Sequence, residues 1–494
     1  MTTSGSTSLT TVARQSIVYS VGPAVGRLAS FLFLPIYTRY LTPSEYGLVL
    51  LIDLAFELLS IAAGSRIAVG VFHFFHKANT DPGRRSVLAT AAVLVTTGYV
   101  VCAFWAYLFA EALAQLVIGS SAQAPLVRIA AFTFVVAGAT MVPLSYLRLT
   151  GQTRGYLAAT TGKGLLQGGL GIVLLAAGCR GPKALLIANL AASAIVLVPL
   201  GILFLRSVGY IFSAVTAKRL LAFGLPLILT QVATSILTYG DRLLLQRTHG
   251  SAAVGVYSLG YGFGFLVAQM IYGPFSTAWD PIRFRLIREN GGLTIVGRAF
   301  TYMNLIVLTG ALFVVLMARP AIELLTTEPY WQASAFVPPL VLAYVMQSWS
   351  GTLDLGLMLT EQTNKIARAN WTAALVILLL YGLLIPSWGG MGGAIATVVA
   401  FSLRTWLVYR SSQKSQWIPY EWARIRLLMG IALATFAVAT LLPPVSWATS
   451  VAERLALFAG YLLGVWFLVL RTEDRSWART FVYGLGWSNR HAHG

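Results

Sequence analysis

Long apolar runs alternate with short, mostly basic breaks along the chain, and that alternation predicts a bundle of membrane-spanning helices. No charged residue occurs between Arg85 and Glu111, between Arg128 and Arg148, or between Lys183 and Arg206. The same holds from Arg219 to Asp241, His249 to Asp280, Arg298 to Arg319, Glu328 to Asp354, Arg426 to Glu453 and Arg454 to Arg471. Each run matches the roughly 20 residues that cross a hydrocarbon core of about 30 Å. The uncharged stretch from Arg368 to Arg404 is too long for one span, and the Pro-Ser-Trp-Gly-Gly-Met-Gly-Gly segment from Pro386 to Gly393 divides it. Runs near 17–38, 46–70 and 155–178 also span but carry charge, which brings the expected total to fourteen. The Ser/Thr-rich start, Met1 to Gln15, leads into an apolar run too long for a secretory leader, so it is read as an uncleaved first span.

Composition sharpens this picture. Of 494 residues 57% are hydrophobic and only 10% charged, whereas soluble chains carry about 25% charged residues. That excludes a string of soluble domains, a disordered chain and a nucleic-acid-binding domain. The net charge of +19 sits in the short breaks and fixes an orientation. With a cytoplasmic amino terminus, 24 of the 35 Lys and Arg residues fall in inside segments, 8 outside, and 3 (Arg27, Arg66, Lys163) within spans. The bias follows the positive-inside rule and places both termini in the cytoplasm.

The chain also resembles itself. Leu149-Thr150-Gly151-Gln152-Thr153 recurs as Leu359-Thr360-Glu361-Gln362-Thr363. Arg39 matches Arg247 and Tyr46-Gly47 matches Val254-Gly255, both at an offset of 208. The repeat amounts to six spans, an even number, so both halves cross in the same sense. The expected fold is an all-α integral membrane protein with two parallel six-helix lobes around a central cavity, residues 1–207 and 208–412, followed by two further helices and a tail, 413–494.

Ionisable residues inside spans are costly and mark function by default. Arg27 is mid-span. Asp53 and Glu57 are four apart in the second span, hence on one helical face. Arg66 lies nine residues further on, about half a turn round from Glu57 on a continuous helix. Lys163 is flanked by Gly162 and Gly164. At the repeat offsets Arg27 corresponds to Ser235, Asp53 to Tyr261 and Lys163 to Ala373, so these charges belong mainly to the first lobe. Arg27, Arg66 and Lys163 are therefore expected to bind an anion, with phosphate or diphosphate the chemical match. Asp53, Glu57 and Asp354 are read as ion-coupling or pairing carboxylates. Arg39, Asp241, Arg242 and Arg247 are candidates for an outer gate. The competing explanations are interhelical pairing for Arg27 and Lys163, snorkelling for Arg66, and interfacial placement for Asp241, Arg242 and Asp354. Cys102 and Cys179 lack disulfide or metal spacing, and His73 and His76 are assigned to a basic loop beside Lys77 rather than to a metal site. No metal or cofactor is expected.

The stretch Phe33-Leu34-Pro35-Ile36-Tyr37-Thr38-Arg39-Tyr40-Leu41-Thr42-Pro43-Ser44-Glu45-Tyr46-Gly47 resembles the first loop of the bacterial polysaccharide-biosynthesis flippases, the O-antigen and exopolysaccharide unit transporters of the multidrug/oligosaccharidyl-lipid/polysaccharide (MOP) exporter superfamily. The two Leu-Thr-X-Gln-Thr turns and Gly393-Ala394-Ile395-Ala396-Thr397 are similar too, and the likeness covers roughly residues 10–412. The resemblance implies a non-enzymatic carrier in the bacterial cytoplasmic membrane whose cargo is a polyprenyl-diphosphate-linked glycan, held in a cationic cavity. A cation-coupled drug exporter and a lipid II flippase of the same superfamily are alternatives. A membrane-embedded sugar polymerase or glycosyltransferase is the alternative of a different class, disfavoured by short outside loops with scattered carboxylates. The basic loops and tail offer contacts for membrane lipids or for polysaccharide polymerase and assembly proteins, though topology alone accounts for their charge.

Overall fold

The computed structural model describes residues 33–78, 80–287, 291–443 and 446–475. Among them there is no strand. After a helical stretch at 33–40 come α1 (Pro43–Ala62), α2 (Ile67–Lys77), α3 (Asp81–Leu108), α4 (Ala124–Leu149), α5 (Thr153–Ala176) and α6 (Pro182–Val208). They are followed by α7 (Ala214–Leu266), α8 (Gly292–Leu325), α9 (Ala333–Leu353), α10 (Thr363–Ser415), α11 (Trp422–Leu441) and α12 (Trp447–Gly464). Eight described helices are long and apolar enough to cross a membrane, nine if α1 and α2 count as one bent span. Helices α7 and α10 have 53 residues each, about 80 Å at 1.5 Å per residue, so each exceeds a single span. Their backbones leave helical geometry at Gly250 (φ 80°) and at Gly389 (φ 54°). The second break lies inside the Pro-Gly segment predicted to divide that stretch. The helices are consistent with the fourteen spans expected from the sequence.

The family-like stretch is a helix start. Thr42 caps α1: its hydroxyl accepts from the Glu45 amide, and the Glu45 carboxylate accepts from the Thr42 amide at 2.9 Å. Pro43 occupies the first turn, where its missing N–H costs nothing. Five residues in, Gly47 lets α1 cross the second half of α7 backbone to backbone. A Cβ on Gly47 would strike the Ser251 carbonyl, and one on Gly255 would strike the Pro43 carbonyl. At the offset of 208, Gly47 corresponds to Gly255 and Pro43 to Ser251, so the two contacts are reciprocal copies. Reciprocal contacts of this kind occur where equivalent elements meet on a two-fold axis, and here they meet on a pseudo-two-fold between the halves.

The repeated turns agree. Gly151, between α4 and α5, has φ 70°, and its counterpart Glu361 has φ 56°, the only positive φ outside glycine among the described residues. The left-handed region costs a side chain about 1–2 kcal/mol. Glu361→Gly is therefore expected to stabilise the protein by about 0.5–1 kcal/mol after allowing for the entropy that glycine loses on folding. A higher thermal midpoint in detergent would show it, and a lower midpoint would count against a strained turn.

The described chain forms two compact units. One extends to Pro281 and includes Ile322–Trp417; the other comprises Ile282–Ala321 and the residues from Ile418 onward. In the second unit the Phe300 ring of α8 lies 5.0 Å from Tyr420, and Phe313 lies 5.2 Å from Phe458 of α12. Arg454 and the Trp447 indole donate to the Leu316 and Pro320 carbonyls at 2.7 and 3.0 Å. Beyond α12 a polar knot ties the ends together: Arg424 bridges Glu421 (2.9 Å) and Asp474 (2.6 Å), Arg471 reaches Glu421 (2.9 Å), and the Tyr302 hydroxyl donates to Asp474. Burial opposes charge on Asp474, but the donors Tyr302, the Arg471 amide and Arg424 prevail and hold its pKa below the usual carboxylate range. Its contribution is thus complete above the unfolded carboxylate pKa and is lost only as acid titrates the folded group.

Candidate functional site

All the groups of the site described here belong to the first unit. Asp53 and Glu57 project from α1 into a chamber of about 700 Å³ that also takes side chains from α3, α4, α5 and α6. Lys163 enters it from α5, Arg66 from the junction of α1 and α2, and Arg148 from the last turn of α4. Gln167, Asn189, Ser60 and Thr133 supply neutral hydrogen-bonding groups. Asp53 and Glu57 are solvent-accessible where they line the chamber. Lys163 and Asp53 are within electrostatic reach of each other.

Arg66 reaches this chamber by a route that a continuous helix would not give. The second span is broken: residues 63–66 form a turn, Gly64 takes φ 94°, and α2 leaves α1 at 45°. The half-turn offset from Glu57 therefore does not apply, and Arg66 faces the same space as the carboxylates. Its Nε is buried with no hydrogen-bond partner among the described residues. The break is accommodated by Gly98 of α3, where a Cβ would strike the Ala63 carbonyl.

The other expected residues are placed as follows. Arg27 lies outside the described residues. Asp354, buried at the end of α9, feels the charge of Arg404 on α10 and is not among the residues that line the chamber. Arg39 and Arg247 are exposed near helix ends. Asp241 is 1% exposed; it accepts from the Tyr257 hydroxyl at 2.6 Å and from the Arg242 amide at 2.9 Å. The Arg242 guanidinium lies 4.4 Å over the Tyr261 ring and donates to Ser258 at 3.2 Å. The four residues named as an outer gate thus divide into two at exposed ends and two in the interior. His73 and His76 lie on helix α2 rather than in a loop, and His73 stacks on Phe223 with ring centroids 5.3 Å apart. No group of three metal-ligating side chains occurs among the described residues.

Arg148 was missed as a site residue. The orientation count absorbs it as one more basic loop residue, yet its guanidinium sits 4.9 Å over Phe72 and 5.5 Å from the centre of Tyr156, against the chamber. Gln167 was legible: it lies one turn beyond Lys163 on the same helical face.

A model of the family described as "Polysaccharide biosynthesis protein" matches residues 36–335. The chain belongs to that family. No curated protein matches it in sequence. Several solved structures share its fold. The lipid II flippase MurJ, in an inward closed conformation, matches with a TM-score of 0.73 at 12% identity, over 90% of this chain and 98% of that one. An inward-facing multidrug resistance MATE family transporter of the MOP superfamily matches with a TM-score of 0.63 at 15% identity, over 82% and 97% of the two chains. A MOP superfamily transporter from Pyrococcus furiosus, noted for a binding pocket of reversed polarity, gives 0.56 at 15% identity over 82% and 95%. At such identities the likeness establishes the fold alone. This member of the polysaccharide biosynthesis family is a multi-pass membrane protein with the MOP architecture, and the named proteins that share it are a flippase and transporters.

Proposed function

We propose that the protein is a flippase that carries polyprenyl-diphosphate-linked oligosaccharide units across the bacterial cytoplasmic membrane, by alternating access, for assembly of an O-antigen, capsule or exopolysaccharide. The observation that carries this reading is the convergence of Lys163, Arg66 and Arg148 on one chamber. Three cations exceed the two carboxylates there, so the chamber suits an anion. Guanidinium groups match phosphate oxygens in pairs, and an ammonium adds a compact charge. Membership of the polysaccharide biosynthesis family supports a lipid-linked sugar as cargo. In the empty chamber Asp53 neutralises Lys163; in the loaded chamber the diphosphate takes its place, the sugars lie in the polar interior and the lipid tail stays in the bilayer. The excess of basic residues in alternate loops supports cytoplasmic termini. Asp354 is proposed to pair with Arg404 rather than to serve coupling.

A second reading, a lipid II flippase, is favoured by the match to MurJ. One assay separates them. Purified protein in liposomes is expected to move a polyprenyl-diphosphate oligosaccharide between leaflets well above protein-free controls, and to move lipid II more slowly. Equal or faster movement of lipid II would favour the second reading, and movement of neither would overturn both.

A further inference from the structure

A second, smaller cavity of about 310 Å³ adjoins the basic chamber and shares Asp53 and Glu57 with it. Its construction follows the repeat. Helix α1 contributes Leu50, Asp53, Leu54 and Glu57, and the second half of α7 contributes Ser258, Tyr261, Gly262 and Phe265. At the offset of 208 these are the same four positions in the two halves. The cavity therefore straddles the pseudo-two-fold axis that passes between Gly47 and Gly255, with one repeat presenting carboxylates and its copy presenting aromatic rings. Tyr239 and Tyr344 extend the aromatic wall, and Tyr344 stands edge-on to both Tyr261 and Phe265 at 5.6 Å.

Aromatic side chains, of which Tyr239 and Phe265 are only half-buried, together with two carboxylate hydrogen-bond acceptors, fit one class of ligand well. A pyranose has an apolar C–H face that packs on aromatic rings, and a rim of hydroxyls that donate to carboxylates. The volume lies at the low end for small-molecule sites and suits a single sugar ring rather than a whole repeat unit. The charge balance narrows the class. Arg242 is the one basic lining residue, and it is already engaged by the Tyr261 face, Ser258 and the Thr238 carbonyl. Asp53 and Glu57 would repel a carboxylate-bearing sugar.

We propose that this cavity is the glycan subsite, that it seats the sugar next to the diphosphate, and that it selects a neutral pyranose over a uronic acid. The inference rests on the flippase reading above, since it takes the anion in the neighbouring chamber to be the diphosphate of the same cargo.

The test measures binding of three probes to the full-length protein in nanodiscs: bare polyprenyl diphosphate, the same lipid bearing glucose, and the same lipid bearing glucuronic acid. Wild type is expected to bind the glucose-bearing lipid about tenfold more tightly than the other two, the scale of one good aromatic contact. Tyr239→Ala and Phe265→Ala are expected to remove that advantage and to leave binding of the bare lipid within twofold, which also shows that they fold. Glu57→Gln is expected to raise affinity for the glucuronic-acid lipid. Equal binding of bare and glucose-bearing lipid by wild type, or equal losses for both in the aromatic variants, would overturn the subsite while leaving the diphosphate reading intact. Failure of wild type to bind any of the three would overturn both.

Discussion

A disulfide between Ser44→Cys and Ser251→Cys is expected to stop transport completely, and a reducing agent to restore it. The two hydroxyls are in hydrogen-bond contact where α1 crosses the second half of α7, beside the Gly47–Gly255 crossing. Other bonds join the two halves near the same end. The Tyr330 hydroxyl donates to the Leu41 carbonyl at 3.0 Å, Thr327 donates to the Thr38 carbonyl at 3.1 Å, and Tyr46 meets the Tyr330 ring at 6.2 Å. This is the end that the basic-loop bias assigns to the outside. If cargo leaves there, these contacts must part once in every cycle, and a covalent bond at Ser44 and Ser251 prevents it. The experiment uses a background with Cys102→Ala and Cys179→Ala, follows cross-linking by gel mobility, and measures transbilayer movement of lipid-linked oligosaccharide before and after reduction. Transport that persists in fully cross-linked protein would show that cargo does not leave between these helices.

The second large effect is expected at Lys163. Lys163→Ala should lower transport by about 10²-fold, the scale of one charge-assisted hydrogen bond. That loss alone does not separate binding of cargo from support of Asp53, because a carboxylate left without its cation is itself destabilising. The double variant Asp53→Asn/Lys163→Ala makes the distinction. If Lys163 serves only to neutralise Asp53, removal of both charges restores transport. If it binds the diphosphate, the double variant stays as defective as the single one while its folding, measured by thermal midpoint, recovers. Restored transport in the double variant would remove Lys163 from the binding site.

Much of the architecture was legible because a membrane restricts the solutions so strongly. Charge-free runs, the Pro-Gly break at Gly389 and the repeated Leu-Thr-X-Gln-Thr turns each had one physical reading, and the helices follow it. Lys163, Asp53 and Glu57 stood out because charge inside a span is expensive. Arg66 and Arg148 were harder. Arg66 reaches the chamber only because Gly64 breaks the helix, and a Gly-Ser pair in a span signals such a break without fixing its angle. Arg148 sits at the end of a span, where sequence gives the same signal for a loop cation and for a residue curling back over Phe72 and Tyr156. The small cavity was hidden for another reason. Its two walls come from equivalent positions that carry opposite chemistry, so the comparison of the halves marked Tyr261 as the place where a charge was missing rather than where a ring was present.

The Gly47–Gly255 crossing also bears on speed. Where helices lock by interdigitated side chains, parting them means withdrawing knobs from holes and forfeiting many dispersion contacts at once. Here two backbones touch with no side chain between them at the crossing point, and the bonds around it run from hydroxyls to carbonyls, or between the Ser44 and Ser251 hydroxyls, groups that water can satisfy once exposed. Separation then exchanges one set of hydrogen bonds for another of similar strength. On the flippase reading, such a seam is expected to part without withdrawing knobs from holes, apart from the Tyr46–Tyr330 ring contact, and turnover is then expected to follow movement of the cargo rather than opening of the seam.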